Sequence, residues 1–118
     1  MLRGNDLDLV LSFIYLPLTR KVLENNLGKV KNVGFKFEEP YLSLIEKTIN
    51  KISMDIRDLK KEMRKTGITV YDQGKVNEKC SYLVVCRGYR EEFNLFPHLM
   101  KVEVQNYLNQ YLLKTQVP

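Results

Sequence analysis

The sequence predicts an α+β domain, mostly helical, in which a kinked N-terminal helix, a long central helix, a β-hairpin and a C-terminal helix share one core. Three observations predict it. Leu42, Ile45, Ile49, Ile52, Ile56, Leu59 and Met63 recur at alternating steps of three and four, the spacing of a single helical stripe. From Ile68 the period changes to two, in a segment rich in Tyr, Leu and Val that runs to Arg87. A last apolar face, made of Met100, Val104, Tyr107, Leu108, Tyr111 and Leu112, follows Pro97 at helical spacing.

The first helix is expected over residues 7–26, with Asp6 as N-cap and with Leu7, Val10, Leu11, Ile14, Leu18, Val22 and Leu23 on one face. Pro17 removes a backbone donor and crowds the carbonyl of Phe13, so a kink or a division into two short helices is expected there. Gly28 ends the segment, and residues 28–39 form a connection in which Phe35 and Phe37 face the core. Pro40 suits the first turn of the next helix because its φ is preset and its missing donor costs nothing there. That helix occupies residues 40–66, stops at Gly67 and is close to 40 Å long at about 1.5 Å per residue. It forms the spine, with the first helix packed antiparallel to it.

Residues 68–87 read as a β-hairpin whose tip lacks an Asn-Gly or Asp-Gly pair to fix the turn. Two strands alone are marginal in water, so one face, Tyr82 with Val84 or Leu83 with Val85, is expected to be covered, with the C-terminal helix as the nearest cover. Gly88 closes the second strand, and the aromatic, acidic stretch from Tyr89 to Phe96 is a helical turn or a loop. The C-terminal helix occupies residues 97–113, and the tail beyond it frays.

With 118 residues the chain is long enough for one core and too short for two, so residues 1–118 are one domain. Its 44% hydrophobic and 28% charged content excludes disordered and low-complexity classes. The net charge of +5, from 19 basic and 14 acidic residues, is a mild excess that bears on solubility and loose association with acidic partners, not on a defined site. The most apolar stretch, residues 7–18, is broken by Asp8, Ser12 and Pro17 and falls short of the ~20 residues a membrane span needs. Acidic residues precede it and Arg20 and Lys21 follow it, the reverse of a signal peptide. A cytoplasmic location with no membrane partner is therefore expected. Cys80 and Cys86 on one strand would lie roughly 20 Å apart, beyond disulfide reach, which makes them free thiols suited to a reducing compartment.

No catalytic, cofactor-binding or metal-ligating set is legible. His98 is the single histidine, and its place beside Pro97 at a helix start suits a surface or capping role better than a Cys-His pair or a metal cluster. Asp55, Asp58 and Glu62 alternate with basic residues on one helix, where ion pairs such as Asp58 with Lys61 and Glu62 with Lys65 are the expected arrangement. The phosphate-cradling, zinc-protease and nucleophile-elbow motifs are absent from the sequence. An enzyme and a bound cofactor are accordingly not expected. The heptad stripe of the long helix is expected to pack within the monomer first, and the seven tyrosines suit either core or interface.

The favoured reading is a non-enzymatic interaction or accessory protein whose partner is another protein or a second copy, as in a homodimer. The alternative is a nucleic-acid-binding module using Arg57, Lys60, Lys61, Arg64 and Lys65 at the basic end of the long helix. Against that alternative, a helix-turn-helix needs two short helices and a tight turn where this sequence has one rod.

The run Ile14-Tyr15-Leu16-Pro17-Leu18, the opening Pro40-Tyr41-Leu42-Ser43-Leu44-Ile45-Glu46-Lys47 and the Arg87-Gly88-Tyr89 turn resemble a family of small uncharacterised proteins of Bacillus and its spore-forming relatives, of the YhjD type. The resemblance covers most of the chain and its motifs are structural. It implies a cytosolic bacterial protein with a link to sporulation, and it transfers no activity to any residue.

Overall fold

The computed structural model describes Leu2, residues 4–34 and residues 37–116, without the side chains of residues 115 and 116. Three helices and a three-stranded antiparallel sheet follow in the order α1 (Gly4–Val33), α2 (Glu39–Thr66), β1 (Ile68–Val76), β2 (Lys79–Cys86), β3 (Tyr89–Leu95) and α3 (Pro97–Gln116). The fold is α+β and mostly helical, as the patterning predicts.

α1 is longer at both ends than its apolar pattern suggests. It is a single helix that passes through Pro17, where Tyr15, Leu16 and Thr19 are buried around the proline and the Thr19 hydroxyl donates to the Tyr15 carbonyl at 2.8 Å. Gly28 does not end it. The stop is Gly34, whose φ of 67° is the left-handed conformation a helix terminus uses and glycine adopts freely. Asp6, expected as N-cap, lies inside the first turn. The connection is correspondingly short, and Phe37 within it is 78% exposed, so it does not face the core. Phe35 lies outside the described residues.

α2 begins at Glu39 with Pro40 in its first turn and ends at Gly67, whose φ is 75° and whose N–H caps the last turn. The Arg20 guanidinium donates to Ser53 Oγ at 3.2 Å, while Phe13 and Met63 border one hollow and Leu23 and Ile45 border another. α1 and α2 are therefore antiparallel. The heptad stripe is spent inside the molecule, with Ile52, Ile56 and Met63 buried.

The hairpin is two of three strands in a meander ordered β1-β2-β3. Both turns are two residues long with positive φ at both positions, 51° and 64° at Asn77 and Glu78 and 49° and 89° at Arg87 and Gly88, the turn geometry that matches strand twist. The stretch expected as a turn or loop is thus β3, paired with β2 from Cys86 opposite Tyr89 to Cys80 opposite Leu95. β1 carries a bulge between Asp72 and Lys75, where Gly74 has φ 77° and its N–H donates to Asp72 Oδ1 at 2.8 Å.

Tyr82, Val84 and Cys86 form the buried face of β2. Their cover comes from all three helices, with Val10, Ile14 and Tyr15 of α1, Met63 of α2 and Met100 of α3 in one cluster; the C-terminal helix, expected as the nearest cover, takes part, but α1 contributes more buried residues. A second cluster, Leu16, Leu23, Ile52 and Ile56, lies farther along the helices and is closed by Tyr107, Leu108, Tyr111 and Leu112 of α3. Both cysteines are free.

Candidate functional site

Among the described residues no group of three or more His, Cys, Asp or Glu side chains is placed to hold a metal ion. His98 is exposed and its ring lies 6.0 Å from that of Phe96. Two carboxylates are committed separately. Asp55 accepts from the Tyr111 hydroxyl at 2.6 Å and pairs with Lys51 at 3.1 Å, while Glu92 accepts from Ser81 at 3.3 Å. Burial raises the Tyr111 pKa first, and the bond to the Asp55 carboxylate raises it further. Tyr15 and Tyr82 are also raised, chiefly by burial.

A clasp joins three parts of the chain at the sheet end. The Arg87 guanidinium donates to Asp6 Oδ2 at 2.8 Å and to the Thr66 carbonyl at 3.1 Å, and the Arg87 backbone N–H donates to the Gly67 carbonyl at 3.0 Å. Asp6 is 6% exposed, and hydrogen bonding to it raises the Arg87 pKa. These bonds fix the start of α1 and the end of α2 to the β2–β3 turn, a structural use of a charge pair that the sequence did not reveal because the partners are far apart in the chain.

The basic residues singled out by sequence are brought together. At about 100° per residue, Arg57, Lys60, Lys61, Arg64 and Lys65 fall within an arc of about 140° on α2, with Asp55, Asp58 and Glu62 beyond it on the neighbouring flank. All five cations are exposed. The expected pairs of Asp58 with Lys61 and Glu62 with Lys65 do not form: the ion pairs within 4.0 Å among the described residues join Arg20 to Glu24, Lys51 to Asp55 and Arg87 to Asp6. Flexible side chains on an exposed helix lose about as much in entropy as such a pair returns. Lys60 and Arg64 also border a hollow floored by Phe13, Met63 and Val70.

Two apolar surfaces complete the set. Leu23, Val30, Tyr41, Leu44, Ile45 and Leu112 line a groove of about 480 Å³ at the end of the helices far from the sheet. On α3 the side turned to solvent carries Leu99, Val102, Asn106, Asn109 and Leu113 at heptad spacing, with Leu99, Val102 and Leu113 between 53% and 61% exposed. No helix among the described residues is long and apolar enough to cross a membrane.

These features define a small α+β protein whose exposed assets are surfaces: a basic helix flank, an uncharged helix seam and a sheet with open edges. The chain belongs to the YhjD protein family, whose model matches residues 1–116. It is 25% identical over 105 residues to the uncharacterized protein YhjD of Bacillus subtilis strain 168, an alignment spanning 89% of this chain and 88% of that protein. No solved structure matches the chain.

Proposed function

We propose that the chain is a non-enzymatic interaction or accessory protein of the bacterial cytoplasm that works through its surface and associates with itself. The observation that supports this reading is the solvent-facing seam of α3. α3 already buries Met100 and contributes Tyr107 and Leu108 to the interior, so Leu99, Val102 and Leu113 are apolar residues beyond what the fold consumes. Their heptad register, with Asn106 at a central position, is the pattern by which one helix pairs with another and a buried amide sets the register. A setting in sporulation rests on the family resemblance alone.

A second reading is favoured by a separate observation, the five unpaired cations on one flank of α2. Such a flank suits phosphates, and binding to duplex nucleic acid through it would weaken steeply with salt as counterions are released. Light scattering coupled to size-exclusion chromatography separates the two readings, with and without mixed-sequence duplex DNA at low and high salt. A dimer that ignores DNA and is split by Val102→Glu is the expected result. A monomer shifted by DNA only at low salt would replace the first reading with the second.

A further inference from the structure

The edges of the sheet differ in a way that points to a partner. β1 and β3 are both edge strands, and an uncovered edge is a template for another strand unless charges or a bulge blunt it. β3 is blunted by the consecutive charges Arg90, Glu91 and Glu92, and Glu91 lies on the same face as buried Val84. β1 is blunted only at its far end, by the bulge between Asp72 and Lys75. Its first four residues, Ile68, Thr69, Val70 and Tyr71, carry no charge.

The main chain along that stretch has a definite polarity. The Arg87 N–H donates to the Gly67 carbonyl, which makes these two a hydrogen-bonded pair one step outside the strands. Such pairs alternate along an antiparallel ladder. Thr69 and Tyr71, opposite Val85 and Leu83, therefore face β2, and the N–H and C=O groups of Val70 and Asp72 face the free edge at the two-residue spacing an incoming strand presents, while Ile68, only 4% exposed, is covered by the core.

What lies beside this edge selects the occupant. One hollow, bordered by Lys60 and Arg64 and floored by Phe13 and Met63, meets β1 at Ile68–Val70. A second, formed by Phe13, Pro17, Leu18 and Tyr82, continues to Asp72. Phe13 and Val70 border both, so the two hollows adjoin beneath the edge and together make up its trough. Apolar side chains of an added strand find apolar walls there, and carboxylates find the unpaired flank of α2.

We propose that the free edge of β1 receives an extended acidic segment of a partner protein as a fourth strand, seated between that edge and the basic flank of α2. The main-chain groups supply strand addition and the trough and cations supply selection, the division of labour typical of edge recognition. A second copy of this chain is a poorer occupant, because pairing β1 with β1 would bring two sets of Lys60 and Arg64 together. Nucleic acid is poorer too, since it brings neither apolar side chains for the trough nor strand-spaced amides. The proposal rests on the reading of the chain as an interaction protein but uses a different face from α3.

The test uses the full chain, labelled for amide exchange, with a capped peptide in which glutamate alternates with valine and a control in which lysine replaces glutamate. The glutamate peptide is expected to bind and to protect the amides of Val70 and Asp72, while Thr69 and Tyr71, already paired with β2, and buried Ile68 change little. The doubly reversed variant Lys60→Glu/Arg64→Glu, altered only at exposed positions, is expected to bind it at least about tenfold more weakly. No binding, equal binding of the lysine peptide, or binding without protection of those two amides would overturn the proposal. So would duplex DNA displacing the peptide with greater affinity. Light scattering on the same samples keeps the broader reading separate: a chain that still dimerises through α3 while refusing the peptide loses the strand proposal alone.

Discussion

The Tyr111 hydroxyl sits 2.6 Å from Asp55 Oδ2, where two effects act in the same direction. Burial disfavours the phenolate, and a neighbouring carboxylate disfavours it again. An unfolded tyrosine ionises near pH ~10. Above that pH the unfolded chain releases a proton that the folded chain retains, so the folded state binds more protons and stability falls as pH rises. Below it the contribution is fully present. Tyr111→Phe is therefore expected to cost about 1 kcal/mol at neutral pH, the net worth of one hydrogen bond, and to lose less stability than the parent on going to about pH 10.5. Urea unfolding at both pH values measures it, and parallel losses would mean that Tyr111 does not couple to the alkaline transition. Tyr15 and Tyr82, also raised by burial, keep part of the slope in either protein.

At the level of elements, the position of the α1 stop decides how the first half of the chain is built. Gly28 lies within the helix, and a Cβ added there meets nothing within 4 Å. Alanine is favoured over glycine in a helix interior by about 1 kcal/mol. Gly28→Ala should accordingly stabilise the protein by roughly that amount in denaturant titrations, whereas Gly34→Ala, at a φ of 67°, should destabilise it by about 1–2 kcal/mol. The opposite signs are diagnostic, because a helix that ended at Gly28 would reverse them. The sequence misplaced this stop because glycine is a stop only where the chain needs positive φ, and Leu27 and Val30 are both partly buried on either side of Gly28. It missed β3 for a related reason. Arg87-Gly88 is a two-residue turn without the usual asparagine or aspartate, so Gly88 read as an end although Tyr89, Glu91, Phe93 and Leu95 alternate correctly for one face. By contrast α2 was legible to within a residue, since its stripe, Pro40 and Gly67 all agree. The candidate surface was legible in part: the five cations stand out as the basic end of the long helix, but the position of Lys60 and Arg64 beside the edge of β1 depends on how α2 and the sheet are brought together.

The molecule as a whole is elongated, 53 × 34 × 17 Å with a radius of gyration of 16.2 Å, against about 13.5 Å for a compact chain of this length. Its two hydrophobic clusters lie at different levels along the helices, which raises the question of whether they unfold together. α1 runs through both, giving Val10, Ile14 and Tyr15 to one and Leu16 and Leu23 to the other. Leu59 and Tyr107 pack against both as well, and Tyr15 stacks on Tyr107 with ring centroids 5.8 Å apart. No loop or polar layer divides the clusters along α1, so the loss of one strips cover from the other. A single cooperative transition is the expected behaviour. Ile52→Ala, in the helical cluster, and Ile68→Ala, at the start of β1, should each lower its midpoint by removing a buried side chain worth about 2–5 kcal/mol. Far-ultraviolet circular dichroism, dominated by the helices, and amide exchange at the centre of β2 should report the same free energy in each variant. If Ile68→Ala instead freed the sheet while the helices kept their stability, the sheet would be a separately unfolding cap, and any partner bound at the edge of β1 would stabilise that cap rather than the molecule.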